Sequence, residues 1–238
     1  MPKRSVLIVQ NISREEPGII SDVLDKNGIT STIVNMSQNQ ELPYPLDFDA
    51  VIVMGGPDSA NDNTPKMHSE LALVRECLDN NVPYLGICLG MQDLVHETGG
   101  KVVPNTFREV GFRHADGQSY KVILTEEGQK DQLFEGLGNE FPVFHLHGET
   151  VELTENITLL AKGNFVPNQI VKAGTNSYGI QSHFELTQKM LEKWLEEDPW
   201  LKETDTEKIR QQFDEIKEQY TQTAQQLFTN FLTIANLI

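Results

Sequence analysis

An α/β fold, with a mostly parallel sheet covered by helices on both faces and a helical extension at the C-terminus, is the architecture this sequence predicts. Three observations carry it. The first part of the chain alternates short, continuous apolar runs with helical patterns, as parallel strands buried on both faces do. The middle is rich in short strands. From Lys189 onward the pattern turns wholly helical.

The elements follow in order. Ser5–Gln10 (SVLIVQ) reads as a buried strand, and Pro17–Asn27 as a helix with Ile19, Ile20, Val23 and Leu24 on one face, stopped by Gly28. Ser31–Met36 and Ala50–Met54 are the next strands, the latter running into Gly55-Gly56-Pro57. Met67, Leu71, Val74 and Leu78 mark a helix, and Pro83–Ile87 a fourth strand that leads into Cys88. Tyr120–Thr125, Pro142–His147, Val151–Leu153, Thr158–Ala161 and Gln169–Ala173 read as short strands, extending the sheet or forming a second one. Lys189–Glu197 is a short amphipathic helix, broken by Asp198-Pro199. From Thr204 one long helix carries Ile209, Phe213, Ile216, Tyr220, Thr223, Leu227, Phe231 and Ile234 as a narrow seam. The expected organisation is a domain over residues 1–190 and a helical extension over 191–238. The seam suits packing on the domain itself or a homodimer contact.

Composition excludes some functions. A formal net charge of −16 argues against a phosphate-backbone binder, so no nucleic-acid partner is expected. Two cysteines, Cys77 and Cys88, cannot form a disulfide framework, which points to a reducing, cytoplasmic setting. The basic start Met1–Arg4 precedes an apolar run too short for a signal peptide, and no stretch reaches the length of a membrane span.

Gly86-Ile87-Cys88-Leu89-Gly90 sits where a buried strand ends and a helix begins. Glycines on both sides of a nucleophile at such a junction permit a tight turn that lifts the side chain clear of the sheet. A thiol at a helix N-terminus is favoured as thiolate. A small buried cysteine would also fit the position taken alone. Cys77, beside an apolar helix face, reads as structural. A thiol hydrolase needs a base and a group to orient it. His183 and Glu185, two apart in Gly179–Glu185, share a face if that segment is extended, although an exposed polar pair would look the same. The N–H groups of Leu89 and Gly56 are candidate donors to an oxyanion, and Gly55-Gly56 lets the backbone approach a ligand closely.

Taken together, Met54–Ser59, Gly86–Gln92 and Tyr178–Glu185 resemble the motifs of class I glutamine amidotransferases, with particular likeness to the amidotransferase part of GMP synthetase. Asp131–Leu137 is similar to the family's D-x-L-F-x-G-L segment, and His147–Val151 to its H-G-D-x-V turn. The likeness spans roughly residues 40 to 190, in order. It implies a flavodoxin-like sandwich and hydrolysis of a glutamine γ-amide through a thioester, with release of ammonia. It also implies roles: Cys88 as nucleophile, His183 as base and acid, Glu185 as its partner, Gly56 and Leu89 as oxyanion donors, and Gln92, His147 and Gly148 as substrate contacts. No metal or cofactor is required.

Departures from the pattern bear on the acyl compound. Phe184 stands where the family often has proline, and Glu149 where aspartate is usual. They leave room for a γ-glutamyl peptide in place of glutamine. Two other readings compete. His145, His147 and Glu149 at alternate positions would suit a divalent metal. A non-catalytic regulatory module could keep the fold. The absence of a Walker-type loop implies that the chain does not itself activate an acceptor with ATP, so the ammonia would pass to a separate synthetase subunit or simply be released. Elsewhere, no acidic residues show the spacing of a catalytic pair.

Overall fold

The computed structural model describes residues 4–238; residues 1–3, within the basic start, lie outside the described residues. β1 (Ser5–Gln10) has Val6, Leu7, Ile8 and Val9 fully buried. Strand side chains alternate in direction, so Val6 and Ile8 enter one core and Leu7 and Val9 another. α1 (Ile19–Lys26) buries Ile19, Ile20, Val23 and Leu24 and is followed by Gly28 in the left-handed region, φ +66°. After β2 (Thr30–Asn35) and β3 (Ala50–Val53), α2 (Pro65–Asp79) begins with the Thr64 side chain accepting from Met67 N–H. β4 (Tyr84–Ile87) then leads through Cys88 into α3 (Leu89–Glu97).

The middle differs from expectation in detail. β5 (Lys101–Gly111) has no counterpart in the sequence reading, because its Pro104 and its run of exposed polar residues mask the strand pattern. It pairs with β8, and the register breaks between Pro104 and Glu109. β6 (Lys121–Leu124) matches its expected position. The strand expected over Pro142–His147 is instead two, β7 (Glu140–Pro142) and β8 (His145–Glu152). Between them the fully buried Phe144 leaves the ladder and bridges to His183. β8 also absorbs most of the strand expected at Val151–Leu153. β9 (Ile157–Gly163) and β10 (Ile170–Ala173) follow, then an additional strand, β11 (Ser177–Ile180).

The nine-stranded sheet runs β2-β1-β3-β4-β11-β10-β9-β6-β7, and β5 and β8 form a separate pair. The five strands from β2 to β11 are parallel; β10, β9, β6 and β7 continue the sheet antiparallel.

The chain ends with α4 (Gln188–Glu197), α5 (Pro199–Lys202) and α6 (Thr206–Ile234). Asp198 caps α5 by accepting from the N–H groups of Trp200 and Leu201. The α6 seam is spent on the chain's own core: Phe213, Tyr220, Leu227 and Phe231 join the cluster that holds Ile8 and Ile52. Phe213 stacks on Phe112 and Tyr220 on Phe184. Those side chains are therefore not free for a second copy. No helix among the described residues is long and apolar enough to cross a membrane.

Candidate active site

β1, β3, β4 and β11 are consecutive in the sheet and parallel, so their carboxyl ends lie side by side. Ligands bind at such ends in open α/β sheets. The four following segments bring Glu15, Gly55-Gly56, Cys88 and His183 to one place, although Glu15 and His183 are far apart in sequence.

Cys88 occupies φ +51°, ψ −100°, a conformation that side chains other than glycine rarely adopt. Its neighbours explain the glycines. A Cβ on Gly86 would lie 2.1 Å from Gly90 O, and one on Gly90 would lie 2.4 Å from Val53 O. Helix α3 thus presses against the sheet at closest approach, and the Cys88 N–H is held by Ile180 O at 2.7 Å. Cys77 is buried on α2, and burial pushes its thiol up to about 12, which leaves it unreactive.

His183 and Glu185 lie beyond β11 in irregular, extended chain rather than in a strand. They nevertheless meet: His183 Nδ1 is 2.7 Å from Glu185 Oε1, with both residues buried. Phe144 O accepts from His183 N–H, and Tyr220 O–H donates to His183 O at 2.6 Å. The Trp194 ring stands edge-on to the imidazole. Burial by itself disfavours the imidazolium. The charge of Glu185, the nearby Cys88 sulfur and the hydrogen bond to Glu185 together outweigh it, holding His183 well above the usual histidine range. His183 Nε2 has no hydrogen-bond partner.

Gly56 packs against Asn11 and Leu89, so the two expected oxyanion donors are neighbours. Leu89 opens α3, where N–H groups have no partner within the helix. Asn11 donates to Met54 O at 3.2 Å and to Glu70 Oε1 at 2.6 Å, tying this loop to α2. Glu70 and Asp93 form a buried acid pair that sequence spacing could not reveal, since they sit on different helices. Burial, the largest influence at each, raises both carboxyls, and the charge of Glu70 raises Asp93 further.

Gln92 donates to Gln181 Oε1 at 3.2 Å, and Gln181 Nε2 lies 3.4 Å from Cys88 Sγ. Gln181 lies within the Tyr178–Glu185 stretch, where nothing in the sequence sets it apart. A cavity of about 790 Å³ opens above Cys88 and Gln92, walled by Glu15, Arg108, His147-Gly148-Glu149 and Trp200. Gly148 lets Trp200 approach, since a Cβ there would be 3.0 Å from the indole. Arg108 lies over the Trp200 ring, 4.2 Å from its centroid.

The metal reading of the strand face needs correction. Glu149 turns away and accepts from Ser59 Oγ at 3.2 Å. The third member is Glu109, across from His147 on β5. Glu109, His145 and His147 bring their ligand atoms within 4.8 Å of one another. They already bond each other: His147 Nε2 is 2.9 Å from Glu109 Oε2 and 3.2 Å from His145 Nδ1. His147 Nδ1 contacts Glu149 O at 2.9 Å. His147 therefore has both nitrogens engaged, and burial followed by the neighbouring histidines pushes His145 far below the usual range, keeping it neutral.

A cysteine on a strand-to-helix elbow, facing the unpartnered nitrogen of a histidine held by a carboxylate, is an arrangement suited to acyl transfer through a thioester. The chain belongs to the class-I glutamine amidotransferase family, whose model matches residues 18–198. A Salmonella typhimurium glutamine amidotransferase-like protein, YfeJ, is 30% identical over 79% of this chain and 78% of its own length. The glutamine-hydrolyzing GMP synthase of Bacillus subtilis is 36% identical over 76% of this chain. The chain spans 33% of that synthase. Among solved structures, a Thermotoga maritima glutamine amidotransferase shares the fold with a TM-score of 0.86, at 21% identity over 99% of both chains.

Proposed function

We propose that this chain hydrolyses the γ-amide of glutamine through a γ-glutamyl thioester on Cys88, releasing ammonia and glutamate. The observation that carries the reading is the state of His183: Nδ1 is bound to Glu185, while Nε2 is unpartnered beside Cys88. The Cys88 sulfur attacks the γ-carbonyl, and the carbonyl oxygen takes up charge against the N–H groups of Gly56 and Leu89. His183 Nε2 passes a proton to the leaving nitrogen, the C–N bond breaks and the thioester remains. Water, deprotonated by His183, then cleaves the C–S bond and restores the thiol. Gln92 and the His147-Gly148 backbone border the glutamyl group, since the His147 imidazole is committed to Glu109 and Glu149.

A γ-glutamyl peptide is the second reading. The cavity extends from Cys88 to Arg108 and Trp200, more room than an amide nitrogen requires, and Arg108 would suit a carboxylate on the leaving group. The likeness to GMP synthases, of which the match covers 33% in the Bacillus subtilis case, supports a separate synthetase subunit as a receiver of ammonia. Glutamate and ammonia release from glutamine, compared between wild type and Cys88→Ala, tests the main reading. Turnover by wild type alone supports it; turnover by both removes it. A γ-glutamyl dipeptide assayed alongside separates the two substrates.

A further inference from the structure

Glu15 takes no part in the chemistry described above. It lies in the segment after β1, is 4% exposed, and its Oε2 is buried with no hydrogen-bond partner. The adjacent cation is occupied elsewhere: Arg14 pairs with Asp198 at 2.7 Å. Burial, the largest influence, raises the Glu15 carboxyl, against the charges of His183 and Arg14. An unpaired buried carboxyl costs stability, and such costs collect at functional sites.

Its position shows what it faces. A Cβ built on Gly55 would lie 2.3 Å from Glu15 Oε2, 3.1 Å from His183 Cε1 and 3.3 Å from Cys88 Cβ. The carboxyl, the imidazole and the elbow therefore converge in front of Gly55, and Glu15 borders the same cavity as Cys88. In the proposed reaction His183 protonates the departing nitrogen, and the Glu15 carboxyl lies beside the His183 ring.

Resting on the thioester reading, we propose that Glu15 is the receptor for the departing amine: its carboxyl oxygen accepts an N–H of the scissile nitrogen as that nitrogen takes the proton from His183. The C–S bond forms, the C–N bond breaks, and the thiol proton leaves on the nitrogen by way of His183. Glu15 itself gains and loses nothing. The ligand class is a γ-glutamyl amide whose nitrogen carries at least one N–H, whether the product is ammonia or a primary amine. An ester oxygen has no N–H to offer, so the contact discriminates amides from esters.

The test uses the full chain as wild type, Glu15→Ala and Glu15→Gln, with glutamine and glutamate γ-methyl ester as substrates. A lost charge-assisted hydrogen bond lowers kcat/KM by about tenfold or more. Glu15→Ala is expected to lose that factor on glutamine relative to the ester. Glu15→Gln, whose carboxamide oxygen still accepts, is expected to retain most of the amide activity. The melting temperature of Glu15→Ala should equal or exceed that of wild type, because a buried unpaired group is gone. Equal losses on both substrates, unchanged glutamine turnover in Glu15→Ala, or a lowered melting temperature with parallel losses would overturn the assignment. A wild type inactive on both substrates would defeat the thioester reading, and this proposal with it.

Discussion

Two buried histidine–carboxylate pairs stand among the described residues, and only one lies beside a cysteine. His183 Nδ1 meets Glu185 at 2.7 Å and His147 Nε2 meets Glu109 at 2.9 Å, all four residues being almost wholly buried. Partner type and distance are alike; the second ring nitrogen is not. His147 Nδ1 is engaged with Glu149 O, whereas His183 Nε2 is unpartnered beside Cys88. A satisfied polar network rigidifies the structure around it, here the β5–β8 pair. A network left one bond short has a position where a proton can arrive and leave. In the proposed reaction, the unpartnered nitrogen is what separates the two pairs.

Substitutions can break this contrast. His183→Ala should lower kcat on glutamine by about 10⁴-fold or more, with the fold intact by circular dichroism. His147→Ala should do the reverse: activity of the folded fraction within about tenfold of wild type, and a stability loss of about 3–5 kcal/mol in urea melts, since the buried Glu109 loses its shortest partner and keeps only the longer contacts to Gln169 and His145. Comparable kinetic losses in both variants would remove the distinction. Glu185→Gln should cost less than His183→Ala and also move the pH profile. Without that carboxylate charge, burial drives the His183 imidazolium down, so the alkaline limit of kcat/KM should shift to lower pH. The same linkage has a sign for stability. A raised histidine contributes in full below its unfolded value near 6.5, and the contribution fades as pH rises through the folded value.

Smaller effects sharpen the picture. Tyr220→Phe removes the hydroxyl that holds His183 O and should cost about 1 kcal/mol, with a modest loss of kcat that ties α6 to the site. Asp93→Asn addresses the buried acids beneath the Gly56 loop. Both carboxyls are raised in the folded state, so wild-type stability should fall as pH climbs above the ordinary carboxyl range, and the variant should show a shallower fall. An unchanged slope would mean that Asp93 is not raised in the folded state.

How much of this was legible in the sequence follows from how far apart the partners lie. The Cys88 elbow is local: two glycines and a strand-to-helix change are all it needs, and close packing of Gly86 and Gly90 accounts for both. His183 and Glu185 are two residues apart, and extended chain brings them together without a regular strand. Glu109, Glu15 and Tyr220 are different. They reach the site region or its supports through strand order, through β5 pairing with β8, and through the docking of α6, none of which leaves a spacing to read. The metal reading failed for the same reason. Alternation along β8 pointed to Glu149, but the cross-strand partner of His147 is Glu109. The strand expected over Pro142–His147 failed locally, because Phe144 bridges to the His183 segment instead of continuing the ladder.

The central claim is that the γ-glutamyl group is carried on Cys88 and on no other thiol. Acid quenching during glutamine turnover, followed by mass spectrometry of the digested chain, addresses it directly. The expected result is a γ-glutamyl adduct on the peptide containing Cys88, absent from the peptide containing Cys77 and absent in Cys88→Ala. Steady turnover with no adduct under any quench, or an adduct on Cys77, would contradict the account.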